Sequence, residues 1–322
     1  MKRILSGVQP SGQIHLGNYL GAIRNHIEMQ KKHKTYLFIA DLHALTTVRD
    51  PDQMRENVIN LTKAYIALGL DTKKTVFFQQ SALPEHAELC WILDSLTPMG
   101  LLERAHAWKD AKAKGTKEAT VGLFNYPVLQ AADILLYKPD LVPVGQDQKQ
   151  HIEMTRDIAT KFNQTYGETF PLPEPFIEKE VAIIPGTDGR KMSKSYGNTI
   201  DIFADDKTLK KQVMGIKTDS TPLEKPKDPK KCLIFTLYSL LAKPAETTSL
   251  AKKYKKGGFG YGDAKKLLLE KIEDHFGPAR KTFFGLDKSP KIVQNTLLQG
   301  NKKAKAFASK TLEEVKKKAG LI

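Results

Sequence analysis

The stretch that decides the fold is RILSGVQPSGQIHLGNYLGAI, residues 3–23. A short β-rich apolar run leads into a loop of glycine, proline and polar residues, and apolar residues at helical spacing follow. Glycines let the backbone pass close to a ligand, and the start of the next helix offers unpaired N–H groups to an anion. The stretch therefore predicts the phosphate-handling start of an α/β domain, although HLGN alone is also compatible with an ordinary capped helix.

The same alternation of strand and helix continues along the chain. Strands are predicted at residues 3–6, 36–40, 75–79, 141–144 and 181–184, and helices at 17–32, 52–68, 84–95, 127–136 and 147–162. This order predicts an α/β domain around a mainly parallel sheet, with its ligands at strand-to-helix loops. Residues 109–117 are interpreted as a mobile loop, and residues 170–176 as a proline-rich connector.

Length and charge divide the chain near residue 204. A chain of 322 residues favours two domains over one. Residues 1–204 carry 24 Lys and Arg against 23 Asp and Glu, whereas residues 205–322 carry 27 against 13. Helical patterns at 233–241, 264–275 and 312–319 predict a helical second domain. Its excess of 14 positive charges indicates a polyanionic partner, and nucleic acid is the expected one.

Composition and missing motifs exclude several classes of protein. With 40% hydrophobic and 27% charged residues the chain should fold, and without an apolar run of membrane length or a secretory signal we expect a cytoplasmic protein with no membrane partner. Cys90 and Cys232 stand far apart, so neither a disulfide framework nor a protein-held metal is expected. GxxxxGK[ST] is absent, and Asp263 replaces the last glycine of a GxGxxG motif in the stretch GGFGYG, which disfavours P-loop and dinucleotide-binding proteins.

A second polar, glycine-containing segment is GTDGRKMSKSYGN, residues 186–198. Arg190, Lys191 and Lys194 lie close together in it, with serines beside them. A lysine is a compact, mobile charge that suits a triphosphate whose charge redistributes during a reaction. A solvated basic turn would look similar, but the position between the neutral and basic parts of the chain indicates a hinge or lid.

These segments carry a family resemblance. PSGQIHLGN resembles the first signature of the class I aminoacyl-tRNA synthetases, and KMSKS at residues 191–195 matches the second. DLHALTT (41–47), AADILLY (131–137) and VPVGQDQKQHIEMTRDIA (142–159) resemble the bacterial tryptophanyl branch. The resemblance covers almost the whole chain and weakens after residue 205.

The resemblance implies an architecture and a set of ligands. It implies a Rossmann-type catalytic domain at residues 1–204, with an insertion at about 50–130 that forms much of a homodimer interface. A basic, helical anticodon-binding domain would follow at residues 205–322, and its last helix would return to the catalytic domain. The implied ligands are ATP with Mg²⁺, L-tryptophan and tRNA(Trp).

The resemblance also implies site residues, carried over motif by motif. For ATP they are Gln9, Pro10, Ser11, Gly17, Asn18, Gly145, Gln146, Asp147, Ile183, Lys191, Met192, Ser193, Lys194 and Ser195. Catalytic roles are expected for His15, Asn18, Lys191 and Lys194, with His15 near the phosphates and the lysines stabilising negative charge. Asp133 would accept the indole N–H, and the residues around the amino acid would be His43, Tyr126, Gln130 and Gln148.

Three departures from the family pattern concern these sites. Gln130 replaces an apolar methionine found in many relatives, and it shares a helix face with Asp133. Gln146 replaces the acidic residue of the family's GED motif and so removes one negative charge near the nucleotide. We expect this change to be tolerated, because the adjacent backbone can still bind the ribose. Ala111 stands where several relatives have a phosphate-binding lysine. The substitutes for that lysine would be Lys109, Lys112 or Lys114.

The implied reaction is activation of tryptophan by ATP and transfer to tRNA. A tyrosyl-tRNA synthetase is the nearest alternative, because Gln130 could pair with a phenol, which both donates and accepts hydrogen bonds. A catalytically silent RNA-binding paralogue would need only the basic C-terminal part, and intact HLGN and KMSKS disfavour it. A nucleotidyltransferase with a related HxGH motif should lack the second domain and the tryptophanyl stretches.

Overall fold

The computed structural model describes residues 1–113, 119–145, 148–176 and 184–322. Its central element is a five-stranded parallel sheet with the order β3-β2-β1-β4-β5. The strands are β1 (Arg3–Val8), β2 (Lys34–Ile39), β3 (Thr75–Gln79), β4 (Leu141–Pro143) and β5 (Glu174–Phe176). The order reverses between β1 and β4, and ligands of doubly wound sheets bind at such a reversal, beyond the carboxyl ends of the strands.

Helices connect and flank these strands, and they make up most of the C-terminal part. The helices are α1 (Leu16–Asn18), α2 (Arg24–Met29), α3 (Asp41–Ala44), α4 (Pro51–Ala67), α5 (Glu85–Asp94), α6 (Met99–Glu103), α7 (His106–Ala113), α8 (Val121–Tyr137), α9 (Lys149–Tyr166), α10 (Asp206–Met214), α11 (Leu233–Ser239), α12 (Pro244–Lys256), α13 (Tyr261–Gly285) and α14 (Pro290–Lys318). A π-helical turn, Tyr19–Ile23, joins α1 to α2, and short 3₁₀ turns lie at Gln80–Ala82 and Lys194–Tyr196. The predicted α/β fold with a parallel sheet is confirmed.

Two predictions about strands differ from the structure. The predicted connector at 170–176 contains β5, and Pro175 is accommodated there because β5 is an edge strand of the described sheet, where a missing N–H costs no ladder bond. Residues 181–183 of the predicted fifth strand, including Ile183, lie outside the described residues. Ile184 is described and belongs to no strand.

Two predictions in the region of α7 and α8 also differ from the structure. α8 starts six residues before Pro127, because the Thr120 hydroxyl accepts the Leu123 N–H at 3.2 Å and caps the helix there. The prediction of a loop from residue 109 was wrong as far as Ala113, which ends α7. Residues 114–118 lie outside the described residues.

The sheet separates two hydrophobic clusters. Side chains alternate along β2, so that Tyr36 and Phe38 face the cluster with α5, α8, α9 and α14, while Leu37 and Ile39 face the other. The second cluster continues through α4 into α10, α11, α12 and α13. One continuous core therefore crosses the charge boundary near residue 204. No helix in the described ranges is both long enough and apolar enough to cross a membrane.

The last helix lies directly on the edge strand β3. Gly300 makes the approach possible, since a Cβ at this position would lie 1.6 Å from the Phe77 carbonyl oxygen. The Asn301 Oδ1 accepts the Gln79 N–H at 2.9 Å. The sequence pattern predicted only residues 312–319 of this 29-residue helix. The helix covers the edge of the sheet, which would otherwise expose unpaired backbone groups.

Candidate active site

The loop after β1 brings backbone to the carboxyl edge of the sheet. Gln9 and Ser11 are exposed there, and Pro10 is buried. Gly12 has a φ of +98°, a conformation that favours glycine. A Cβ on Gly12 would also lie 3.4 Å from the Lys194 ammonium. The loop therefore brings backbone that carries no side chain at position 12 next to the Lys194 ammonium.

His15 begins the helix that follows this loop. Its Nδ1 accepts the Asn18 N–H at 3.2 Å, and the Asn18 Oδ1 accepts the His15 N–H at 3.1 Å, so the two residues cap the helix reciprocally. Burial lowers the pKa of His15 to about 4; the nearby Lys194 charge adds to the shift and Asp201 opposes it. His15 is therefore neutral at pH 7, and because Nδ1 accepts a hydrogen bond, Nε2 carries the proton.

The KMSKS segment is held by the side chain of Asn198. The Asn198 Nδ2 donates to the Asp188 Oδ1 at 2.7 Å and to the Lys191 carbonyl at 3.1 Å. The Asn198 Oδ1 accepts the Ser193 N–H at 2.8 Å. One buried amide thus fixes both ends of the turn that carries the lysines.

The two signature segments meet in space. The Lys194 Nζ donates to the Ser11 carbonyl at 2.6 Å, and the Gly17 N–H lies 3.3 Å from the Met192 Sδ. Burial lowers the pKa of Lys194, and the charge of Asp201 opposes that shift. The backbone of Asp201 pairs with that of His15, so the segment after KMSKS lies beside the first signature.

The basic residues of this segment are not equivalent. Arg190 forms an ion pair with Asp188 at 2.6 Å and lies over the ring of Tyr196. The Asn198 amide, followed by Arg190, lowers the pKa of Asp188 to about 2. Lys191 is exposed, and its ammonium makes no hydrogen bond or ion pair with any residue that the structure describes. Lys191 and Lys194 are therefore the cations available to an anionic ligand.

Asp133 is the centre of a second, buried group. It is 0% exposed, and its carboxylate receives hydrogen bonds from His43 Nε2 at 2.8 Å, His86 Nδ1 at 2.6 Å and Gln80 Nε2 at 2.8 and 2.9 Å. Burial alone would raise the pKa of Asp133, but the hydrogen bonds from His43 and His86 outweigh it and hold the pKa below its ordinary value. The site thus contains an ionised carboxylate whose orientation is fixed.

Sequence reasoning missed two members of this group, Gln80 and His86. Both are 0% exposed, and the His86 Nε2 also contacts the Tyr137 hydroxyl at 3.0 Å. A usable signal existed for Gln80, because it directly follows β3, and polar residues that follow parallel strands lie at the ligand-binding edge of the sheet. His86 has no such signal, since it lies within α5.

Of the other predicted amino-acid residues, Tyr126 contacts His43 and is linked to Gln148 through His151. The Tyr126 ring is perpendicular to that of His43 at 6.3 Å, and the Tyr126 hydroxyl contacts the His151 Nε2. The His151 Nδ1 lies 2.9 Å from the Gln148 Oε1. Gln130 is half-buried on α8, one turn after Tyr126, and its amide bonds to no residue within the described ranges.

The remaining predicted positions divide into described and undescribed ones. Gly145 is exposed, and its carbonyl accepts the Gln148 N–H at 2.9 Å. Lys112 lies over the Trp108 ring at 5.5 Å. Ser193 and Ser195 share a hydrogen bond of 2.8 Å between their hydroxyls. Gln146, Asp147, Ile183 and Lys114 lie outside the described residues.

The site is assembled at one edge of the sheet. β1 leads to the His15 segment, β2 to α3 with His43, β3 to Gln80, and β4 to Gly145 and Gln148. Since these strands are parallel neighbours, their carboxyl ends meet at the same edge. In the described part of the chain, no three or more His, Cys, Asp or Glu side chains form a group that could hold a metal ion. The arrangement can bind a polyanion beside a buried hydrogen-bond acceptor.

Comparison with known proteins agrees with this arrangement. The family model for class I tRNA synthetases (W and Y) matches residues 1–277. The tryptophan–tRNA ligase of Fusobacterium nucleatum is 51% identical over 100% of this chain and 99% of that protein, and that of Rhodopirellula baltica is 51% identical over 99% of each. The tryptophanyl-tRNA synthetase of Campylobacter jejuni, solved with ADP and tryptophan, superposes with a TM-score of 0.94 at 47% identity over 99% of both chains. The chain belongs to the class I tRNA synthetases of the tryptophan and tyrosine group, and within that group to the bacterial tryptophan–tRNA ligases.

Proposed function

We propose that the chain activates L-tryptophan with Mg–ATP and transfers the tryptophanyl group to tRNA(Trp). The observation that carries this proposal is the buried, ionised Asp133 at the same sheet edge as Lys191, Lys194 and His15. A fixed acceptor suits the single N–H donor of indole, and mobile cations suit a triphosphate. The family membership of the chain supports the same reaction, which we place in the cytoplasm.

ATP would bind across the two signature segments. Gly12, with its positive φ and no side chain, would let the backbone pass close to the phosphates, and His15 directs a neutral Nε2–H donor from the same loop. Lys194 would exchange its bond to the Ser11 carbonyl for one to a phosphate oxygen, and Lys191 would add a second charge. Mg²⁺ would enter with the nucleotide, because it prefers phosphate oxygens and water as ligands.

Tryptophan would bind against Asp133, whose carboxylate accepts one contact from His43, one from His86 and two from Gln80. A carboxylate offers about four acceptor positions, so the indole N–H has to replace one of these contacts. We assign this exchange to His43, because it retains some exposure and lies against the Tyr126 ring, whereas His86 and Gln80 are completely buried. Gln130 and Gln148 would border the same pocket.

The chemistry needs no nucleophile from the protein. An oxygen of the tryptophan carboxylate would attack the α-phosphorus of ATP, and the bond from that phosphorus to pyrophosphate would break. A hydroxyl of the terminal tRNA ribose would then attack the acyl carbon, the bond from that carbon to the AMP phosphate would break, and the hydroxyl proton would pass to the departing phosphate or to water. Alignment of the reactants supplies about 7 to 11 kcal/mol in favourable cases. The lysines and His15 would stabilise the charge that develops on the departing phosphates.

The helical C-terminal part would bind tRNA. Residues 205–322 carry an excess of 14 positive charges, and phosphate contacts by lysine release counterions. The logarithm of the tRNA association constant should fall linearly with the logarithm of the salt concentration. A salt-independent affinity would contradict this electrostatic account. Filter binding at a series of KCl concentrations measures the dependence.

We also propose that the chain forms a homodimer through the region of α5, α6 and α8. Trp91 is 74% exposed, Met99 64% and Val121 80%, on helices that pack together. Large exposed apolar side chains on neighbouring elements are typical of an interface. Light scattering should give twice the chain mass, and Trp91→Glu should lower it. Leu298→Glu is the matched control: Leu298 is also an exposed apolar residue, but it lies on α14, and the substitution should leave the dimer intact.

ATP–pyrophosphate exchange with each amino acid in turn tests the proposed reaction. Exchange with tryptophan alone is the expected result. Exchange with tyrosine instead would assign the chain to the sister activity. Silence with every amino acid, in a folded protein, would favour an RNA-binding role without catalysis.

A further inference from the structure

Gln80, like Asp133, has no exposed surface. Both ends of its amide are bonded to the protein, to Asp133 and to the Leu42 N–H, so it acts through Asp133, the residue that would bind tryptophan. We propose that Gln80 is a positioning residue for tryptophan: its carboxamide orients the Asp133 carboxylate and joins it to the helix that carries His43. This inference rests on the proposed role of Asp133 as the acceptor of the indole N–H.

The two ends of the Gln80 amide bond to different elements. Its Nε2 donates to both oxygens of Asp133 on α8, at 2.8 and 2.9 Å. Its Oε1 accepts the Leu42 N–H at 3.1 Å, in the first turn of α3. His43, the next residue, reaches Asp133 at 2.8 Å. A single amide thus sets the distance between the Asp133 carboxylate and His43, the residue whose hydrogen bond we expect the indole N–H to replace.

His43 and His86 cannot replace this function. Each contacts one oxygen of Asp133, whereas the Gln80 Nε2 lies nearly equidistant from both and so restricts rotation of the carboxylate. A neutral imidazole can also change its tautomer or charge, while an amide keeps its donor at every pH used in an assay. Gln80 is therefore the constant donor of the group.

The position of Gln80 is itself fixed by its neighbours in the chain. The Gln79 Nε2 donates to Asp41 at 2.7 Å, and the Ser81 N–H donates to the same carboxylate at 2.9 Å. The Gln79 N–H bonds to Asn301 of α14 at 2.9 Å. The turn that carries Gln80 is thus tied to α3 on one side and to the C-terminal helix on the other.

The test uses Gln80→Glu, which has nearly the same shape and keeps the acceptor for Leu42. Glutamate can donate to Asp133 only when it is protonated, and two adjacent carboxylates share a proton with a raised pKa. Relative to the wild type, we expect the KM for tryptophan to rise about 10- to 100-fold at about pH 8.5. We expect the difference to shrink to about 3-fold near pH 6. The KM for ATP should stay within about 2-fold of the wild type.

Other titratable groups face Asp133, so the wild type is measured over the same pH range. They are His43 on α3, His86 and Cys90 on α5, and Tyr137 on α8. Gln80→Glu adds a negative charge beside these groups, whereas Gln80→Met does not, so the Met variant is measured over the same pH range. A KM ratio to the wild type that changes with pH in Gln80→Glu but not in Gln80→Met reports on the group at position 80.

Gln30→Glu is the matched control. Gln30 is also buried, its Nε2 donates to the Gly69 carbonyl at 2.9 Å, and its Oε1 accepts the Asp71 N–H at 2.9 Å. It lies beside Thr75, the first residue of β3, and therefore at the amino ends of the strands, whereas the site lies at their carboxyl ends. Its substitution should lower the unfolding temperature and leave the KM for tryptophan unchanged at both pH values.

Gln80→Met is the second variant, and it decides the question if Gln80→Glu does not fold. Methionine has neither donor nor acceptor, so the KM for tryptophan should rise and should not recover at low pH. A KM equal to the wild type at every pH, in a folded Gln80→Met protein, would overturn the inference. A wild type that exchanges pyrophosphate with some other amino acid would instead overturn the proposed function, and this inference with it.

Discussion

The proposed phosphate side and the proposed amino-acid side of the site are built in opposite ways. On the phosphate side, Lys194 makes one hydrogen bond to a backbone carbonyl, and Lys191 is exposed. On the amino-acid side, Asp133 has no exposed surface and accepts hydrogen bonds from three side chains. The lysines therefore have few contacts with the rest of the protein, whereas the Asp133 carboxylate is fixed by hydrogen bonds to both of its oxygens.

The difference follows from what each region has to do. Negative charge moves along a triphosphate as a bond to phosphorus breaks, so the cations that stabilise it must be able to follow. Recognition of one N–H donor requires the reverse, an acceptor whose position does not change. The proposed reaction therefore needs both a replaceable contact, as at Lys194, and a fixed one, as at Asp133.

Disturbing the contact between α14 and β3, which lies next to Gln80, should have the largest effect on stability. In Gly300→Ala the added Cβ would collide with the Phe77 carbonyl, so α14 must move away from β3. We expect a loss of about 3 kcal/mol or more in the free energy of unfolding, measured by urea denaturation. Gly262→Ala, in the first turn of α13, is the control, because apart from its chain neighbours and its own helix backbone a Cβ there meets no atom within 4 Å. It should be neutral or stabilise by about 0.5 to 1 kcal/mol.

Removing a cation should affect the rate and spare the binding of tryptophan. Lys194→Ala should lower the kcat of pyrophosphate exchange by roughly 100-fold or more, with little change in the KM for tryptophan, if the contact forms mainly in the transition state. Lys210→Ala, an exposed lysine on α10, should leave both constants unchanged. An equal loss of tryptophan affinity in Lys194→Ala would remove the contrast between the two regions.

Neutralising the fixed carboxylate should have the opposite pattern. Asp133→Asn replaces an acceptor by a donor that faces His43 or His86, so we expect the KM for tryptophan to rise by about 10- to 100-fold, with a loss of about 1 to 3 kcal/mol in stability. The matched control is Asp94→Asn, since Asp94 accepts a hydrogen bond from Asn125 on α8 at 2.9 Å but lies outside the cluster. Unchanged tryptophan affinity in Asp133→Asn would contradict the assigned acceptor.

The smallest expected effect is on the pH dependence of folding. Burial lowers the pKa of His15 and of His26 to about 4, whereas the unfolded chain binds these protons near pH 6.5. Both groups therefore stabilise the fold fully above about pH 6.5, and this stabilisation is lost as the pH falls toward about 4.

His15→Asn keeps a helix cap and removes one of the two groups. It should reduce the slope of unfolding free energy against pH in this range by at most about 1.4 kcal/mol per pH unit, the value for one proton, as measured by urea denaturation at several pH values. His26→Asn should give a similar reduction without touching the phosphate side. An unchanged slope in His15→Asn would show that His15 is solvated and protonates normally in the folded chain.

Most of the fold was predictable because its signals are local. Thr75–Gln79 was predicted with its observed bounds, since a short apolar run between polar turns has few other solutions. The start of α8 was not, because Pro127 resembles a first helical position while the Thr120 cap lies seven residues earlier. The length of α14 was missed as well, because Gly300 weakens a helical pattern unless one knows that β3 lies against it.

The sequence by itself determined the alternating α/β order, the charge division near residue 204 and the two signature segments, since each depends on residues close together in the chain. Only the tertiary structure decided which distant residues share a hydrogen-bond network. Gln80, His86 and His43 converge on Asp133 from three separate elements, and Lys194 reaches Ser11 across 183 positions. Such partners depend on how parallel strands align their carboxyl ends, and no local pattern carries that information.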